Sequence, residues 1–192
     1  EMPQITIAAM ERLAVGAGVA IALACDWRVL GRSAYLYVPE VKIGLVGLPF
    51  DGGTSNRPGP RHAPRALRDA STMIRAQHPV TGMRPFETVA CADIGDIGPN
   101  PVDVLDTLDR FERAFAALKA AGIRPLAAGG DHLCTLPALR GLAKGGEPLG
   151  LVHFDSHTDL FPAYFGGKVP THGNPFRYAV EEGLLDPARM IQ

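Results

Sequence analysis

The five residues DSHTD, at positions 155–159, have the residue types of a metal site and follow directly after an apolar run. That run, at residues 149–154, predicts a strand, and alternate side chains of an extended chain share one face. Asp155, His157 and Asp159 would then point the same way. Carboxylate and imidazole donors without a thiolate suit manganese or a similar borderline-hard cation better than a structural zinc. The alternative is a polar strand end with ordinary surface acids.

A second polar cluster follows another predicted strand, at residues 124–128. Residues 129–132, with the sequence GGDH, come directly after it, so His132 also lies at the carboxyl end of a strand. If the two strands are neighbours in one sheet, His132 can complete a metal-binding cluster with the DSHTD segment. The alternative is that His132 caps the helix that begins near Leu133.

A third candidate, His172, lies in a loop just before a predicted helix. Histidine can take up and release protons near neutral pH, because its unperturbed pKa is about 6.5. We therefore regard His172 as the candidate catalytic residue, moving protons beside the metal. The alternative is an ordinary solvent-exposed loop histidine.

Alternating strands and helices must position these segments. Short apolar runs predict strands at residues 42–48, 88–92, 124–128 and 149–154. Helices are predicted at residues 66–76 after Pro64, from Asp103 as N-cap to Gly122, and from Asn174 to near Gly183. This alternation predicts parallel βαβ units with helices on both faces of the sheet. Such α/β sheets bind ligands at the carboxyl ends of their strands, where the polar segments lie.

The composition excludes several classes of protein. The chain has 192 residues, about one domain, with 19 Lys+Arg against 20 Asp+Glu and a net charge of −1. A dedicated binder of nucleic acid or of anionic membranes would have an excess of basic residues. The apolar run at residues 13–24 is too short to span a bilayer. Three widely spaced cysteines show no pairing framework, which favours a cytoplasmic location.

Five motifs occur in a characteristic order: GLPFD at 47–51, NRPGPR at 56–61, GGDH at 129–132, DSHTD at 155–159 and HGNPFR at 172–177. This series resembles the ureohydrolase family of arginases and agmatinases, over about residues 43–192. The segments YFGGK at 164–168 and EEGLLDP at 181–187 are closer to the agmatinase and guanidinobutyrase branch.

The resemblance implies a three-layer α/β/α fold with a mainly parallel sheet, and a site for two manganese ions. In that family a metal-bridging hydroxide attacks the guanidinium carbon, and urea and an amine leave. Carried over by motif, His132, Asp155, His157 and Asp159 would be metal ligands, and His172 would match the proton-shuttling histidine. The implied partner is a small linear guanidino compound of the agmatine or guanidinobutyrate type, with a homo-oligomer as a further expectation.

The sequence departs from the family at one motif. Two further metal ligands of the family lie on a downstream S-x-D-x-D segment, and this sequence does not contain one. We therefore expect a C-terminally truncated ureohydrolase domain. Two interpretations stay open: a manganese-dependent hydrolase that releases urea, and an inactive remnant that binds metal weakly or pairs with a full-length partner.

The beginning of the chain carries different motifs: PQITIAA at 3–9, LAVGAG at 13–18, ALACDWR at 22–28 and PEVKIGL at 39–45. They resemble the enoyl-CoA hydratase (crotonase) family, in which a Gly-rich turn like residues 16–18 supplies an oxyanion-hole N–H. Ala20 stands where hydratases often have a catalytic glutamate. We expect a crotonase-like fragment at residues 1–45, joined to the N-terminal part of a ureohydrolase domain at residues 46–192. A third interpretation of the whole chain, as an acyl-CoA binder, predicts thioester affinity without manganese.

Overall fold

The chain divides into two compact units, Glu1–Val41 and Lys42–Gln192. The computed structural model describes residues 42–167 and 169–192, together with the backbone of four short strands at residues 7–10, 13–15, 27–30 and 35–37. The Gly-rich turn at residues 16–18, Ala20 and Lys168 of the YFGGK motif lie outside the described residues.

The described strands of the first unit form two parallel pairs. Strand β1 (Ile7–Met10) pairs with β3 (Trp27–Leu30). Strand β2 (Leu13–Val15) pairs with β4 (Tyr35–Tyr37).

A three-stranded parallel sheet forms the centre of the second unit. Strand β5 (Ile43–Leu48) lies between β6 (Cys91–Asp96) and β7 (Arg124–Gly129). Val46 and Leu48 are almost completely buried. A parallel strand covered on both faces needs apolar residues or glycine throughout, which explains the IGLVGL sequence of β5.

A second parallel sheet consists of β8 (Leu149–Val152) and β9 (Leu185–Ile191). Leu149 is opposite Leu185 and Val152 is opposite Ile191, with an irregularity in the register between Leu149 and Leu151. In the part of the chain that the structure describes, β7 and β8 thus belong to different sheets.

Five α-helices are described in the second unit: α1 (Ala63–Ser71), α2 (Pro85–Thr88), α3 (Val104–Ala120), α4 (Thr135–Ala143) and α5 (Pro175–Glu181). Short 3-10 turns occupy Pro60–His62, His132–Cys134 and Tyr164–Gly166. None of the described helices is long and apolar enough to cross a membrane.

Helix α3 supplies much of the hydrophobic core. Asp103 caps it as expected, because its side chain accepts a hydrogen bond of 3.0 Å from the N–H of Asp106. Leu108, Phe111 and Phe115 lie on one face and are at most 2% exposed. They pack with residues of β5, α4 and α5 in a single cluster.

Three predicted boundaries were wrong. Helix α1 ends at Ser71 rather than near Ala76, and the strand predicted at residues 88–92 is instead the end of α2 followed by β6. The strand predicted at residues 149–154 ends at Val152, which places His153 in the following loop.

Candidate metal centre

The carboxyl ends of β7 and β8 bring together four side chains that can bind a metal ion. His132 comes from the turn after β7, and His153, Asp155 and Asp159 come from the loop after β8. Each offers one ligand atom, and the four atoms lie within 4.8 Å of one another. Two imidazoles and two carboxylates form a donor set suited to manganese, zinc or a similar divalent cation.

Asp155 lies between the pair His132 and His153 on one side and His157 on the other. Its Oδ2 is 3.6 Å from His132 Nδ1 and 3.5 Å from His153 Nε2. Its Oδ1 is 3.6 Å from His157 Nδ1 and accepts a hydrogen bond of 3.1 Å from the backbone N–H of that residue. This backbone hydrogen bond lowers the pKa of Asp155. The carboxylate is therefore ionised at neutral pH, with one oxygen facing each group.

Asp159 contributes the most deeply buried carboxylate of the cluster. It is 5% exposed, and its Oδ2 contacts His132 Nδ1. Its φ angle is 50°, in the left-handed region that residues other than glycine rarely adopt, although Asp tolerates it better than most. Such backbone strain is concentrated at functional sites.

His157 lies outside the group of four. Its side chain is 68% exposed and touches the cluster only through Asp155. The extended geometry expected for residues 155–159 is wrong, because residues 155–157 form a bend and the side chains no longer alternate across one face. The structure thus brings together His132, Asp155 and Asp159, and places His157 on the far side of the Asp155 carboxylate.

His153 was not identified from the sequence. The signal was present, because His153 precedes Asp155 by two residues and extends the motif to H-x-D-x-H-x-D. It was overlooked because it lies within the apolar run that was predicted as a strand. Its side chain is 8% exposed, and its Nε2 atom is buried without a hydrogen-bond partner. A buried ring nitrogen directed at carboxylates fits a site built around a cation.

The loop after β5 joins the motifs around the centre. The N–H of Gly53 donates to Asp131 Oδ2 over 2.7 Å, and its carbonyl accepts from the N–H of His172 over 3.0 Å. The carbonyl of Phe50 accepts from the N–H of Asp131 over 2.9 Å. A Cβ atom at Gly130 would overlap that carbonyl, so only glycine fits there.

Two buried carboxylates hold these loops in shape. Asp51 forms an ion pair with Arg61 and accepts from the N–H of Gly59 over 2.7 Å. The hydrogen bond from Arg61 lowers the pKa of Asp51 to about 2. Asp131 accepts from the N–H of Leu133 over 2.9 Å, and burial raises its pKa.

His172, the predicted catalytic residue, lies in a neighbouring group of polar and aromatic side chains. Its Nε2 is 2.9 Å from Ser55 Oγ, and its ring stacks on Tyr164 with 5.9 Å between the ring centroids. The loop after β5 and the turn at Tyr164–Gly166 therefore hold this ring in place.

Comparison with known proteins identifies the family of the chain. The family model described as "Arginase family" matches residues 41–192. The chain belongs to the arginase family. The resemblance found in the motifs is therefore confirmed, and so is an α/β fold with mainly parallel strands.

Arginase-family relatives include several hydrolases of guanidino compounds. A guanidinopropionase of Pseudomonas aeruginosa is 50% identical over 152 residues, which cover 79% of this chain and 48% of the relative. A guanidino acid hydrolase of Homo sapiens is 45% identical, with coverages of 77% and 42%. The solved proclavaminate amidino hydrolase of Streptomyces clavuligerus is 39% identical with a TM-score of 0.74, covering 80% of this chain and 52% of that one. The chain spans about half the length of these relatives.

The beginning of the chain has a second similarity, outside the arginase family. The model described as "Enoyl-CoA hydratase/isomerase" matches residues 1–78. The two matches overlap at residues 41–78.

Proposed function

We propose that this arginase-family chain binds manganese at the centre and serves the hydrolysis of a linear guanidino compound to urea and an amine. The observation that supports this most is the convergence of His132, His153, Asp155 and Asp159 at two strand ends. The names of the relatives, guanidinopropionase and guanidinobutyrase among them, support the reaction class.

In this proposal His132, Asp155, His157 and Asp159 are the metal ligands. Two divalent cations would lower the pKa of a water molecule and so provide a nucleophile near neutral pH. Asp155 suits a place between two cations, because its two oxygens face different histidines. Asp159 and His132 would bind a cation on the buried side of Asp155, and His157 would bind a cation on its exposed side.

His172 is proposed to transfer a proton to the departing amine. Its ring is fixed by Ser55 and Tyr164, and its backbone N–H by Gly53. An imidazole held in a fixed position can act as a general acid.

A cavity of about 420 Å³ beside the cluster provides space for a small substrate. Its lining includes His132 together with the carboxylates of Asp131 and Asp155. A guanidinium group is positively charged, so carboxylates at this cavity favour it over a neutral urea-like group. We therefore propose linear guanidino acids and agmatine as the substrate class.

The second candidate function is metal binding without hydrolysis by this chain alone, or in association with a full-length partner. Among the described residues, exposed apolar side chains on and after the outer strands β7 and β8 favour it. Leu126 on β7 is 60% exposed and Val152 on β8 is 64% exposed. Phe154, two residues after the end of β8, is 95% exposed. Additional strands would bury such edges.

Manganese titration of the purified chain, followed by metal analysis, tests the proposal first. Two tightly held ions per chain, together with urea release from 3-guanidinopropionate, 4-guanidinobutyrate or agmatine, would support the hydrolase. Bound manganese without urea release from any of these compounds would favour the second candidate. No bound manganese would contradict both.

We also propose small guanidino molecules and copies of the chain itself as partners, rather than nucleic acids or membranes, in the cytoplasm. The balanced charge supports the exclusion of nucleic acid and anionic membranes, and the three unpatterned cysteines support a reducing compartment. The proposed division into a crotonase-like segment at residues 1–45 and a ureohydrolase segment at residues 46–192 rests on the two family similarities.

A further inference from the structure

His153 is held rigidly beside the metal ligands. Its ring packs edge-on against Phe176, with 4.6 Å between the centroids, and lies 5.3 Å from the ring of His132. Phe176 is itself only 1% exposed. The ring of His153 therefore has little freedom to turn, and its two nitrogens face fixed neighbours.

Gln192 determines which nitrogen of His153 carries the proton. The side-chain Nε2 of Gln192 donates to the carbonyl oxygen of Thr158 over 2.9 Å, which fixes the orientation of the amide. The same Nε2 lies 3.3 Å from His153 Nδ1. An amide N–H can only donate, so Nδ1 must accept and have no proton. With Nδ1 unprotonated, the ring carries its proton on Nε2, which faces Asp155 Oδ2 at 3.5 Å.

We infer that His153 is a positioning residue: its Nε2–H is directed at Asp155 Oδ2 and holds that carboxylate in place for the cation. The inference rests on the proposed divalent-metal centre. The distance of 3.5 Å is slightly longer than a hydrogen bond, and a small rotation of the carboxylate would close it. Residues that orient a metal-binding carboxylate in this way typically change metal affinity by about 10- to 100-fold.

The alternative role, direct ligation by His153 Nε2, conflicts with the same contacts. A ligating Nε2 needs a lone pair, which would move the proton to Nδ1. That proton would face the amide N–H group of Gln192, so two donors would meet. Turning the amide over would bring its oxygen against the carbonyl of Thr158, so two acceptors would meet instead. Neither arrangement makes the two hydrogen bonds that the Nε2–H form allows.

Manganese binding by two variants separates positioning from ligation. His153→Phe removes the donor, and His153→Gln keeps an N–H donor at about the position of Nε2. We expect His153→Phe to weaken manganese binding by about 10- to 100-fold without changing the stoichiometry, and His153→Gln to recover most of this loss. His78→Gln, at an exposed histidine outside the five motifs and the metal-binding cluster, is the matched control and should bind like the parent. Equal losses in the Phe and Gln variants would contradict the inference.

Nitrogen NMR of the unsubstituted chain gives a readout that needs neither variant. With ¹⁵N-labelled histidine, we expect a protonated Nε2 and an unprotonated Nδ1 in His153, both before and after addition of ¹¹³Cd²⁺. A proton on Nδ1, or a cadmium coupling to His153 Nε2, would overturn the inference. A chain that binds neither manganese nor cadmium would refute the proposed metal centre, while the tautomer of His153 would still be measured.

Discussion

Asp155 is the residue through which the two groups of histidines meet. One of its oxygens faces the buried pair His132 and His153, and the other faces the exposed His157. Because each oxygen can serve a different cation, loss of a histidine on one side should affect one cation more than the other.

His157→Ala should lower the manganese stoichiometry from two ions per chain to one. His157 is 68% exposed and outside the four-atom cluster, so its loss leaves His132, Asp155 and Asp159 in place. The Kd of the remaining ion should stay within about threefold of the parent value, which corresponds to a change in binding free energy of less than about 1 kcal/mol. Calorimetric titration with metal analysis measures both quantities, and His78→Ala is the control. Loss of both ions would show that His157 belongs to a single shared site.

Asp51→Asn should destabilise the chain by about 2–3 kcal/mol, because hydrogen bonds to a charged group contribute about 1.5–3 kcal/mol. Asp51 is 2% exposed and bonds to Arg61 and to the N–H of Gly59. Urea denaturation near pH 7 measures the change. Asp69→Asn, which breaks an exposed ion pair with Arg65, is the control and should cost at most about 1 kcal/mol.

The contribution of Asp51 should depend on pH in one direction. Its pKa falls from the ordinary 3.8 to about 2 in the folded chain, because Arg61 donates to the carboxylate. A lowered pKa adds stability above the unfolded value, and this stability is lost as the pH falls through the folded value. The difference in unfolding free energy between parent and Asp51→Asn should therefore be constant above about pH 4 and shrink toward pH 2. A difference that is unchanged at pH 2 would mean that Arg61 does not stabilise the carboxylate.

Residue types and spacing identified three of the four side chains that the structure brings together, and there is a physical reason why the fourth was missed. His132, Asp155 and Asp159 were found because their polar segments follow directly after predicted strands, and the structure brings these residues together although β7 and β8 belong to different sheets. His153 was missed because an apolar run does not show where a strand stops being paired. The position of His157 depends on a bend that residues 155–157 adopt within the folded loop.

At the scale of elements, local signals identified the helices better than the edges of the sheets. Asp103 marked the start of α3 because capping is a local interaction. The early end of α1 has a local cause too: the hydroxyls of Ser71 and Thr72 donate to the carbonyls of Arg68 and Asp69, in competition with the helical N–H groups.

Strand β9 was not predicted. Its sequence, LDPARMI, contains Asp186 and Pro187 and so lacks a strand pattern. The strand forms because it pairs with β8 and because Leu185 is buried. Both interactions arise only in the folded chain. Tertiary contacts of this kind outweigh the weak local preference for a strand.

Gly141→Ala should destabilise the chain, although alanine favours a helix by about 1 kcal/mol over glycine. Gly141 of α4 lies against α3, where an added Cβ would come 2.5 Å from the carbonyl oxygen of Glu112 and 2.7 Å from Phe115 Cβ. Overpacking of this kind typically costs about 1–3 kcal/mol. Thermal and urea denaturation measure the net effect. Gly98→Ala, where nothing lies within 4 Å of the added atom, should change stability by about 0.5 kcal/mol or less. A stabilised Gly141→Ala would mean that the two helices can separate without loss.

At the scale of the whole molecule, the arginase-family match and the second compact unit begin at nearly the same place. The arginase-family match begins at residue 41, and the second compact unit begins at Lys42. Composition could not show this division, because the charged fraction of the first 41 residues, 7 of 41, is close to that of the whole chain, 39 of 192. The motifs could show the division, because each family has its glycines, acidic residues and histidines in a characteristic order.

A chain of residues 42–192 should bind manganese like the whole chain. All the proposed ligands, and the loops that hold them through Phe50, Gly53 and Asp131, lie within the second unit. So does the hydrophobic cluster that includes Phe111 and Phe176. Calorimetric titration should give the same stoichiometry as for the whole chain and a Kd within about threefold of its value. That range corresponds to a difference in binding free energy of less than about 1 kcal/mol. A far weaker Kd in a shortened chain with unchanged circular dichroism would mean that residues 1–41 contribute to the centre. The proposed division into two independent segments would then be wrong, although the family assignment would stand.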